Sequence, residues 1–297
     1  MGSVDVGIII VNYNTRDLLR RCLKTVLASR DVSLRVCVVD NNSGDGSAEM
    51  VSAEFPEVTV VYNADNVGYP AANNQGLRLF GYDDDGVSAD APRYALLLNA
   101  DTELPEDGLC SVVAFADDRA DVGVVGPKLV RPDGSLDKAC RRSFPTPEVS
   151  FYHMVGLSRL FPKSPRFGRY NLSYLDENET VEVDSVVGAF MMVRREAVRD
   201  AGLLDDAFFL YGEDLDWAYR MKQVGWRVFY YADVTVLLVK RASSRQNSRA
   251  RVEFWRSMEI FYRKHYAAST PGPIHALIVA AIRLQTQLTR WRTQLAF

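Results

Sequence analysis

Apolar, strand-like runs alternate with amphipathic helical patterns through the first half of the chain. The first run, residues 6–11 (VGIIIV), precedes a stretch predicted to be a helix whose apolar face consists of Leu18, Leu19, Cys22, Leu23, Val26 and Leu27. Further strands are predicted at 34–39, 58–62, 94–98 and 122–125, with helices at 70–80 and 105–116. Such alternation is typical of a largely parallel sheet with helices on both faces. The sequence therefore predicts an α/β fold.

The second half of the chain adds an irregular segment and a helical end. Residues 143–182 are rich in proline and aromatic residues, so we expect a loop-rich lid or acceptor region there. Strands are predicted at 186–193 and 227–231, with helices after Arg194, after Gly212, over 248–268 and over 274–288. We therefore expect one body over residues 1–245 and a C-terminal helical extension over 246–297.

Composition is that of a soluble globular protein, but the charge is unevenly distributed. Of the 297 residues 47% are apolar and 25% are charged, and the formal net charge is −3. Residues 240–297 hold eleven Lys/Arg and two Asp/Glu, a net charge of +9, which leaves −12 for residues 1–239. A basic tail indicates an anionic partner, and a phospholipid surface or a phosphate-bearing substrate fits as well as nucleic acid.

The cysteines and the short apolar runs indicate the compartment. The four cysteines are scattered without a CxxC pair, which argues against a zinc site or a disulfide framework. A strand-like run begins by Val4, which leaves no room for a signal peptide, and the longest apolar run, 276–282, is too short to span a bilayer. We therefore expect a cytoplasmic protein, with the inner face of the cell membrane as a candidate site of peripheral contact.

An acidic cluster stands in an aromatic setting at residues 208–220 (FFLYGEDLDWAYR). Glu213, Asp214 and Asp216 fall at the predicted start of a helix, where the dipole and unpaired N–H groups favour acids. That ordinary explanation does not account for an acidic pair between aromatic residues, where charge is costly to bury. Apolar surroundings raise the pKa of a carboxylate towards that of a general base. A helix cap and a catalytic pair both remain open on this evidence.

Polar side chains follow three of the predicted strands at the point where each strand ends. The first is followed by Asn12, Tyr13 and Asn14, the second by Asp40, Asn41 and Asn42, and the fourth by Asn99 and Asp101. Ligands of open α/β sheets bind at this edge, so we expect a pocket. No GxGxxG or GxxxxGK[ST] motif is present. A nucleotide would instead bind through Asp40 and the asparagines, with a metal at Asp101 meeting its phosphates.

Together these motifs resemble the inverting family 2 glycosyltransferases of the GT-A fold. The resemblance runs in order through about residues 5–245, and the segment 156–170 resembles the rhamnosyltransferase-like branch. The segments that carry it are VNYN at 11–14, VVDNNSGDGS at 38–47, NADNVGYPAANNQG at 63–76, LLLNADTE at 96–103, VVGAFMMVRREAV at 186–198, LYGEDLDWAYRMKQVGWRVFYY at 210–231 and SS at 243–244.

The resemblance implies a binding site for a nucleotide-sugar donor. Asp40, Asn41 and the backbone around Val11 and Tyr13 would hold a pyrimidine base. The loop Asn66–Gly68 and Asn73 would border the nucleotide sugar. Asn99 and Asp101 match the DxD motif of the family with asparagine in place of the first aspartate. Asp101 would then coordinate Mg²⁺ or Mn²⁺ bridging the diphosphate of the donor.

The resemblance also assigns the acidic cluster. Asp214 matches the catalytic base of the ED motif, and Glu213 is the alternative base. Trp217 and Arg220 would shape the acceptor side and brace the acid pair. Asp216 is expected at the helix surface or on the acceptor side.

One position departs from the pattern of the family. Many relatives have a metal-binding histidine where this chain has Leu238, and His153, His265 and His275 lie elsewhere in the sequence. Lys240 and Arg241 would take over part of the neutralisation of the diphosphate, or are ordinary surface residues. The departure leaves open an enzyme of weak or altered activity.

The C-terminal helix has two interpretations. Residues 274–288 form a broad apolar face with arginines near its margins. This face would pack on the body or on a second subunit, giving a homodimer, or residues 271–297 would form an interfacial membrane helix.

The sequence and the resemblance together predict a metal-dependent inverting glycosyltransferase. Its donor would be dTDP-L-rhamnose, and its acceptor a hydroxyl of a cell-surface glycan or lipid-linked saccharide, with no nucleic-acid partner. The alternatives are a transferase that uses a UDP-hexose or UDP-galactofuranose donor, and a catalytically silent nucleotide- or glycan-binding protein with this fold.

Overall fold

The structure is a computed structural model that describes residues 4–239 and 248–294. Lys240 and Arg241, two candidate diphosphate ligands, lie outside the described residues. The strands are β1 (Val6–Asn12), β2 (Leu34–Asp40), β3 (Thr59–Tyr62), β4 (Tyr82–Asp83), β5 (Gly86–Val87), β6 (Tyr94–Asn99), β7 (Thr102–Glu103), β8 (Val122–Val130), β9 (Val181–Val183), β10 (Phe190–Arg194) and β11 (Arg227–Leu238). The helices are α1 (Arg16–Leu27), α2 (Ser47–Glu54), α3 (Tyr69–Leu79), α4 (Gly108–Asp117), α5 (Pro147–Met154), α6 (Leu157–Leu160), α7 (Arg195–Ala201), α8 (Glu213–Gln223), α9 (Ser248–His265) and α10 (Gly272–Gln294).

A nine-stranded sheet forms the centre of the protein. Its strand order is β3-β2-β1-β6-β10-β8-β11-β7, and β9 pairs with β11. β1 lies parallel to β2 and β6, whereas β10 runs antiparallel to both β6 and β8. Apart from their last residues, β1, β6 and β10 are apolar, as suits strands whose side chains are buried on both faces of the sheet. The predicted α/β fold is confirmed, and β10 brings antiparallel pairing into the middle of the sheet.

The strand predicted at 186–193 begins later than expected. β10 starts at Phe190, because the main chain before it has other partners. The carbonyl of Val186 accepts a hydrogen bond from Arg142, and the N–H of Gly188 donates one to Asp214. The residues that resembled the start of a strand therefore hold charged side chains instead.

The helix α9 packs on α8 and closes one side of the body. Phe261 of α9 joins Phe208 and Leu215 in a small apolar cluster. Beneath it, Asp216 is fully buried and lies 2.9 Å from Lys264 Nζ and 2.7 Å from His265 Nε2. The helix-surface position expected for Asp216 is therefore wrong, because α9 covers that face of α8.

The last helix, α10, packs along α9 and leaves much of its apolar surface open. It buries Val279 and Ile282, while Ile274, Leu277 and Leu284 are exposed. Among the described residues, no helix combines the length and the apolar character needed to cross a bilayer. The membrane and dimer interpretations of this helix both stay predictions.

Candidate active site

The carboxyl ends of β1, β2 and β6 meet at one edge of the sheet, as predicted. The register pairs Asn12 with Asp40 and Val11 with Asn99, so the polar residues that follow these strands stand side by side. A cleft of about 410 Å³ opens there. Of the predicted donor-site residues, those that line it are Val11, Tyr13, Asn41, Asn66, Gly68, Asn99 and Asp101.

Two predicted donor residues lie behind the wall of the cleft rather than on it. Asp40 is buried and accepts hydrogen bonds from Asn12 Nδ2 at 2.7 Å and from the N–H of Ser43 at 2.8 Å. Asn73 is also buried and donates to the carbonyl of Tyr69. In this structure both side chains brace the loops that carry the cleft residues.

The loop that ends at Gly68 packs directly against the segment before the acidic pair. Gly68 has a φ of +93°, and a Cβ added there would lie 2.8 Å from the carbonyl oxygen of Phe209. The next residue, Tyr69, donates its N–H to that same carbonyl at 2.8 Å. Only glycine tolerates both this φ and so close an approach of two backbones.

We expect Gly68→Ala to destabilise the protein by about 2–5 kcal/mol, because it adds overpacking to the strain of a positive φ. Urea unfolding measures the change in free energy. Gly134→Ala is the matched control, since Gly134 has a φ of +79° with open space around its Cβ position. It should lose only about 1–2 kcal/mol. Equal losses in the two variants would contradict the close approach to Phe209.

Two consecutive left-handed residues turn the chain into α8 and aim its N-terminus at the cleft. Tyr211 has a φ of +69° and Gly212 a φ of +81°. A positive φ is uncommon for an aromatic residue, and such strain gathers at functional sites. The turn places Glu213 and Asp214 in the first turn of α8, and both line the cleft.

Asp214 is held by three hydrogen-bond donors. Its Oδ2 accepts from Arg142 Nη2 at 2.8 Å and from the N–H of Gly188 at 3.0 Å, and its Oδ1 accepts from the N–H of Leu215 at 2.7 Å. Arg142 is itself buried and also donates to the carbonyl of Val186. A guanidinium and two backbone amides therefore fix the position of the Asp214 side chain.

Glu213 has a different environment from its neighbour. Burial, followed by the negative charge of Asp214, raises the pKa of Glu213 to about 8. Its Oε2 is buried without a hydrogen-bond partner among the described residues. Glu213 therefore keeps its proton near neutral pH and is available there as an acid.

We expect the wild type to lose stability relative to Glu213→Gln as the pH rises from about 4.5 to about 8. The folded protein keeps the proton on Glu213 over this range, whereas the unfolded chain releases it near its ordinary pKa of 4.5. The contribution of the acid is thus fully present below pH 4.5 and is lost by pH 8, on the order of 3–5 kcal/mol. Thermal unfolding of both proteins across this range measures the difference, and parallel curves would contradict it.

Trp217 and Arg220 are not brought to the cleft. Trp217 is fully buried and donates its indole N–H to the carbonyl of Gly202 at 2.8 Å. Arg220 pairs with Asp216 at 2.8 Å and donates to the carbonyls of Ala201 and Leu203. Both side chains fasten α8 to the end of α7, so their predicted acceptor-side role has no contact that supports it.

The partners of Asp216 decide its charge. Burial acts to raise its pKa, but the hydrogen bond from His265, the charge of Arg220 and the hydrogen bonds from Lys264 and Arg220 outweigh burial and lower the pKa to about 2. Asp216 is therefore an ionised anchor within the structure, outside the lining of the cleft.

The residues at the candidate metal position fit a cation that arrives with the donor. The main-chain carbonyl of Asp101 accepts from the N–H of Val239, which brings Leu238 to the cleft beside it. The residue aligned with the metal-binding histidine thus lies at the expected place with an apolar side chain. Within residues 4–239 and 248–294, no three His, Cys, Asp or Glu side chains form a metal-binding group. One carboxylate together with substrate phosphates is nevertheless a common way to hold Mg²⁺.

Sequence reasoning missed three charged residues that line the cleft, namely Asp137, Arg142 and Glu253. Arg142 precedes the irregular segment, and only the tertiary fold shows that it meets Asp214, 72 positions later. Glu253 of α9 also lines the cleft, and its Oε2 is buried with no hydrogen-bond partner in the described part of the chain. α9 has a charged, aromatic sequence without a motif, so no local signal marked Glu253.

A family model and a curated relative match most of the chain. The model described as Glycosyl transferase family 2 matches residues 7–202, which include Asp101 and end before Glu213. An N-acetylglucosaminyl-diphospho-decaprenol L-rhamnosyltransferase of Mycobacterium tuberculosis is 24% identical over 287 residues. The alignment covers 95% of this chain and 91% of that protein.

Solved structures share the fold at low identity. The mannosyltransferase PcManGT of Pyrobaculum calidifontis, in complex with GDP-Man and Mn²⁺, aligns over 100% of this chain and 74% of its own, with a TM-score of 0.56 and 18% identity. GalNAc-T7 with UDP, GalNAc and Mn²⁺ aligns over 96% of this chain and 55% of its own, with a TM-score of 0.59 and 16% identity.

Proposed function

The chain belongs to glycosyl transferase family 2 and has the GT-A fold, and from this premise we propose that it transfers L-rhamnose from dTDP-L-rhamnose. The proposed acceptor is a hydroxyl of a lipid-linked saccharide or cell-surface glycan. The relative of Mycobacterium tuberculosis supports both choices, because it aligns with nearly the whole chain and is a rhamnosyltransferase with a diphospho-decaprenol acceptor. At 24% identity the sugar itself stays a proposal.

The observation that carries the proposal is the meeting of two separate elements at one cleft. Asp101 follows β6, Asp214 lies in the first turn of α8, and both line the same cleft. A sugar-nucleotide transfer needs charge neutralisation at the diphosphate and a base at the acceptor hydroxyl. We assign the diphosphate end to Asp101 and Asn99 and the acceptor end to Asp214.

The donor would bind along the ends of β1, β2 and β6. Tyr13, with 39% of its surface exposed, and Asn41 would contact the base, and Asn66 and Gly68 would border the sugar. Mn²⁺ or Mg²⁺, held by Asp101 and the diphosphate, would supply Lewis-acid stabilisation of the leaving nucleoside diphosphate. Both solved relatives described above are bound to Mn²⁺.

Asp214 would act as the general base in a single displacement. The acceptor oxygen attacks the anomeric carbon, the bond from that carbon to the diphosphate oxygen breaks, and the acceptor proton passes to Asp214. The product keeps the new glycosidic bond with inverted configuration. Arg142 and the N–H of Gly188 would hold the carboxylate of Asp214 in place throughout.

The C-terminal extension would complete the acceptor side. Residues 1–245 are proposed to form the catalytic domain, and α9 from residues 246–297 adds Glu253 and Phe254 to the cleft. A carboxylate beside an exposed aromatic ring suits a sugar ring with several hydroxyl groups, because the carboxylate accepts from the hydroxyls. We propose that the enzyme works at the cytoplasmic face of the membrane.

A thermal-shift comparison of nucleotide sugars with Mn²⁺ tests the donor. We expect dTDP-L-rhamnose to raise the melting temperature more than UDP-hexoses or UDP-galactofuranose, because ligand binding stabilises the folded state. Asp101→Asn should lose the part of the thermal shift that depends on Mn²⁺. Asn99→Asp should keep it, because this change gives the DxD motif both of its aspartates. A larger shift with a UDP sugar would assign the donor to the alternative instead.

Leu238 favours a second candidate, a silent nucleotide- or glycan-binding protein. It lies in the cleft beside Asp101, and none of the three histidines lines the cleft. Hydrolysis of the donor with Mn²⁺ and without acceptor separates the two functions. Turnover supports the transferase, whereas donor binding without turnover of any sugar nucleotide supports the silent protein.

A further inference from the structure

The α5–α6 segment, which we define as residues 147–169, carries a cluster of exposed apolar side chains. Together its two helices bury only Val149. Five large apolar side chains lie within residues 151–161 and are 47–72% exposed, namely Phe151, Met154, Val155, Leu160 and Phe161. Soluble proteins ordinarily expose such residues singly, and contiguous patches mark interaction surfaces. The cluster therefore indicates a surface that is covered in use.

The same segment is strongly basic. It contains four exposed basic side chains and a single acid, Glu148. Glu148 pairs with Arg166 at 3.2 Å. Within the described part of the chain, no carboxylate forms an ion pair with Arg159, Lys163 or Arg169. A patch that joins exposed aromatic and aliphatic side chains to basic residues complements an anionic surface with an apolar interior.

We propose that the α5–α6 segment docks on an anionic phospholipid surface. Phe151, Val155 and Leu160 enter the interfacial region of the bilayer, and Arg159 and Lys163 contact the phosphates of the head groups. Neither contribution suffices alone, because stable peripheral binding combines apolar insertion with electrostatic attraction. This surface is distinct from α10, whose exposed residues lie in a different part of the chain.

The α5–α6 segment is flanked in sequence by residues that line the cleft. Arg142 precedes the segment, Tyr170 and Asn171 follow it, and all three line the cleft. Docking therefore brings the cleft to the level of the lipid head groups, where a lipid-linked acceptor presents its sugar. This purpose rests on the proposed function, whereas docking itself does not require it.

Co-sedimentation with lipid vesicles tests the proposal on the full-length protein. Vesicles of phosphatidylcholine alone are compared with mixtures of phosphatidylcholine and phosphatidylglycerol, at low and at high salt. We expect binding to the anionic vesicles that weakens with salt. The triple variant Phe151→Ser/Val155→Ser/Leu160→Ser should bind at least about tenfold more weakly, because it removes most of the apolar insertion. The affinity of Arg159→Gln/Lys163→Gln for anionic vesicles should also fall at least about tenfold, because each basic residue contributes roughly fivefold.

Two controls separate this surface from others. Leu277→Ser/Leu284→Ser changes exposed apolar residues of α10, and Leu79→Ser/Val224→Ser changes exposed residues of the body. Both should bind anionic vesicles as the wild type does, and every variant should keep its melting temperature because the replaced side chains are exposed. Donor hydrolysis measured in parallel reports on the proposed function independently of vesicle binding.

Several outcomes would overturn the proposal. Wild-type protein that ignores anionic vesicles, or that binds neutral ones equally, would remove the lipid surface. Loss of binding only in the α10 variant would assign docking to the C-terminal helix. A wild-type dimer that becomes monomeric in the triple variant, measured by light scattering, would show that a second copy of the chain covers the patch.

Discussion

Replacing Asp214 by asparagine is expected to lower the rate of sugar transfer about 10²–10⁴-fold while leaving donor binding unchanged. Asparagine keeps the shape of the side chain and its hydrogen bond from Gly188, but it cannot accept the proton of the acceptor hydroxyl. Steady-state kinetics should show the loss in kcat, and the thermal shift with donor and Mn²⁺ should match that of the wild type.

Glu213→Gln is the matched variant that decides between the two acids. If Asp214 is the base, this variant should retain most of its activity, because glutamine imitates the protonated acid that Glu213 is near neutral pH. If Glu213 is the base, the wild-type rate should instead rise with pH towards about 8, as Glu213 ionises, and Glu213→Gln should lose the activity. Normal transfer by Asp214→Asn would refute our assignment of the base.

Arg142→Met is expected to destabilise the protein by about 3–5 kcal/mol, because it leaves the carboxylate of Asp214 buried without its cation. The pair is almost closed to solvent, with side chains 8% and 7% exposed. Methionine fills much of the same volume, so the main loss is electrostatic. Chemical denaturation of the wild type and the variant measures this change in the free energy of unfolding.

A double-mutant cycle identifies the cause of that loss. Arg142→Met combined with Asp214→Asn should recover part of the stability, since the second change removes the uncompensated charge. Arg141→Met is the matched control, because Arg141 is equally buried but donates to the carbonyls of Leu175 and Asp176. Its effect should add to that of Asp214→Asn. Additive effects for both arginines would contradict the pairing of Arg142 with Asp214.

The sheet edge could be predicted because its determinants are local. A polar residue at the end of an apolar run marks the carboxyl end of a parallel strand. Pairing with the neighbouring strands then places Asn12, Asp40 and Asn99 side by side at the same edge of the sheet. The direction in which each of these side chains points is harder to predict from the sequence. Asp40 and Asn12 face each other behind the cleft, while Val11, one residue earlier in the pleat, reaches it.

The acidic cluster could be found from the sequence, but the separate role of each acid could not be predicted. Three acids at one helix start look alike until the fold supplies their partners, and these come from distant segments. Arg142 and Gly188 donate hydrogen bonds to Asp214, whereas Lys264 and His265 pair with Asp216. Such long-range pairs leave no trace in local periodicity. Reasoning from sequence therefore expected Asp216 at the helix surface or on the acceptor side, and it overlooked Arg142.

The burial of Asp216 under α9 also constrains how the protein is made. Synthesis on the ribosome proceeds from the N-terminus, so the sheet and α8 emerge before Lys264 and His265 exist outside the exit tunnel. Until then Asp216 lacks two of its partners, and the cleft lacks the wall that α9 contributes. The nascent chain therefore acquires the α9 wall of the cleft only after residues 248–265 have left the exit tunnel.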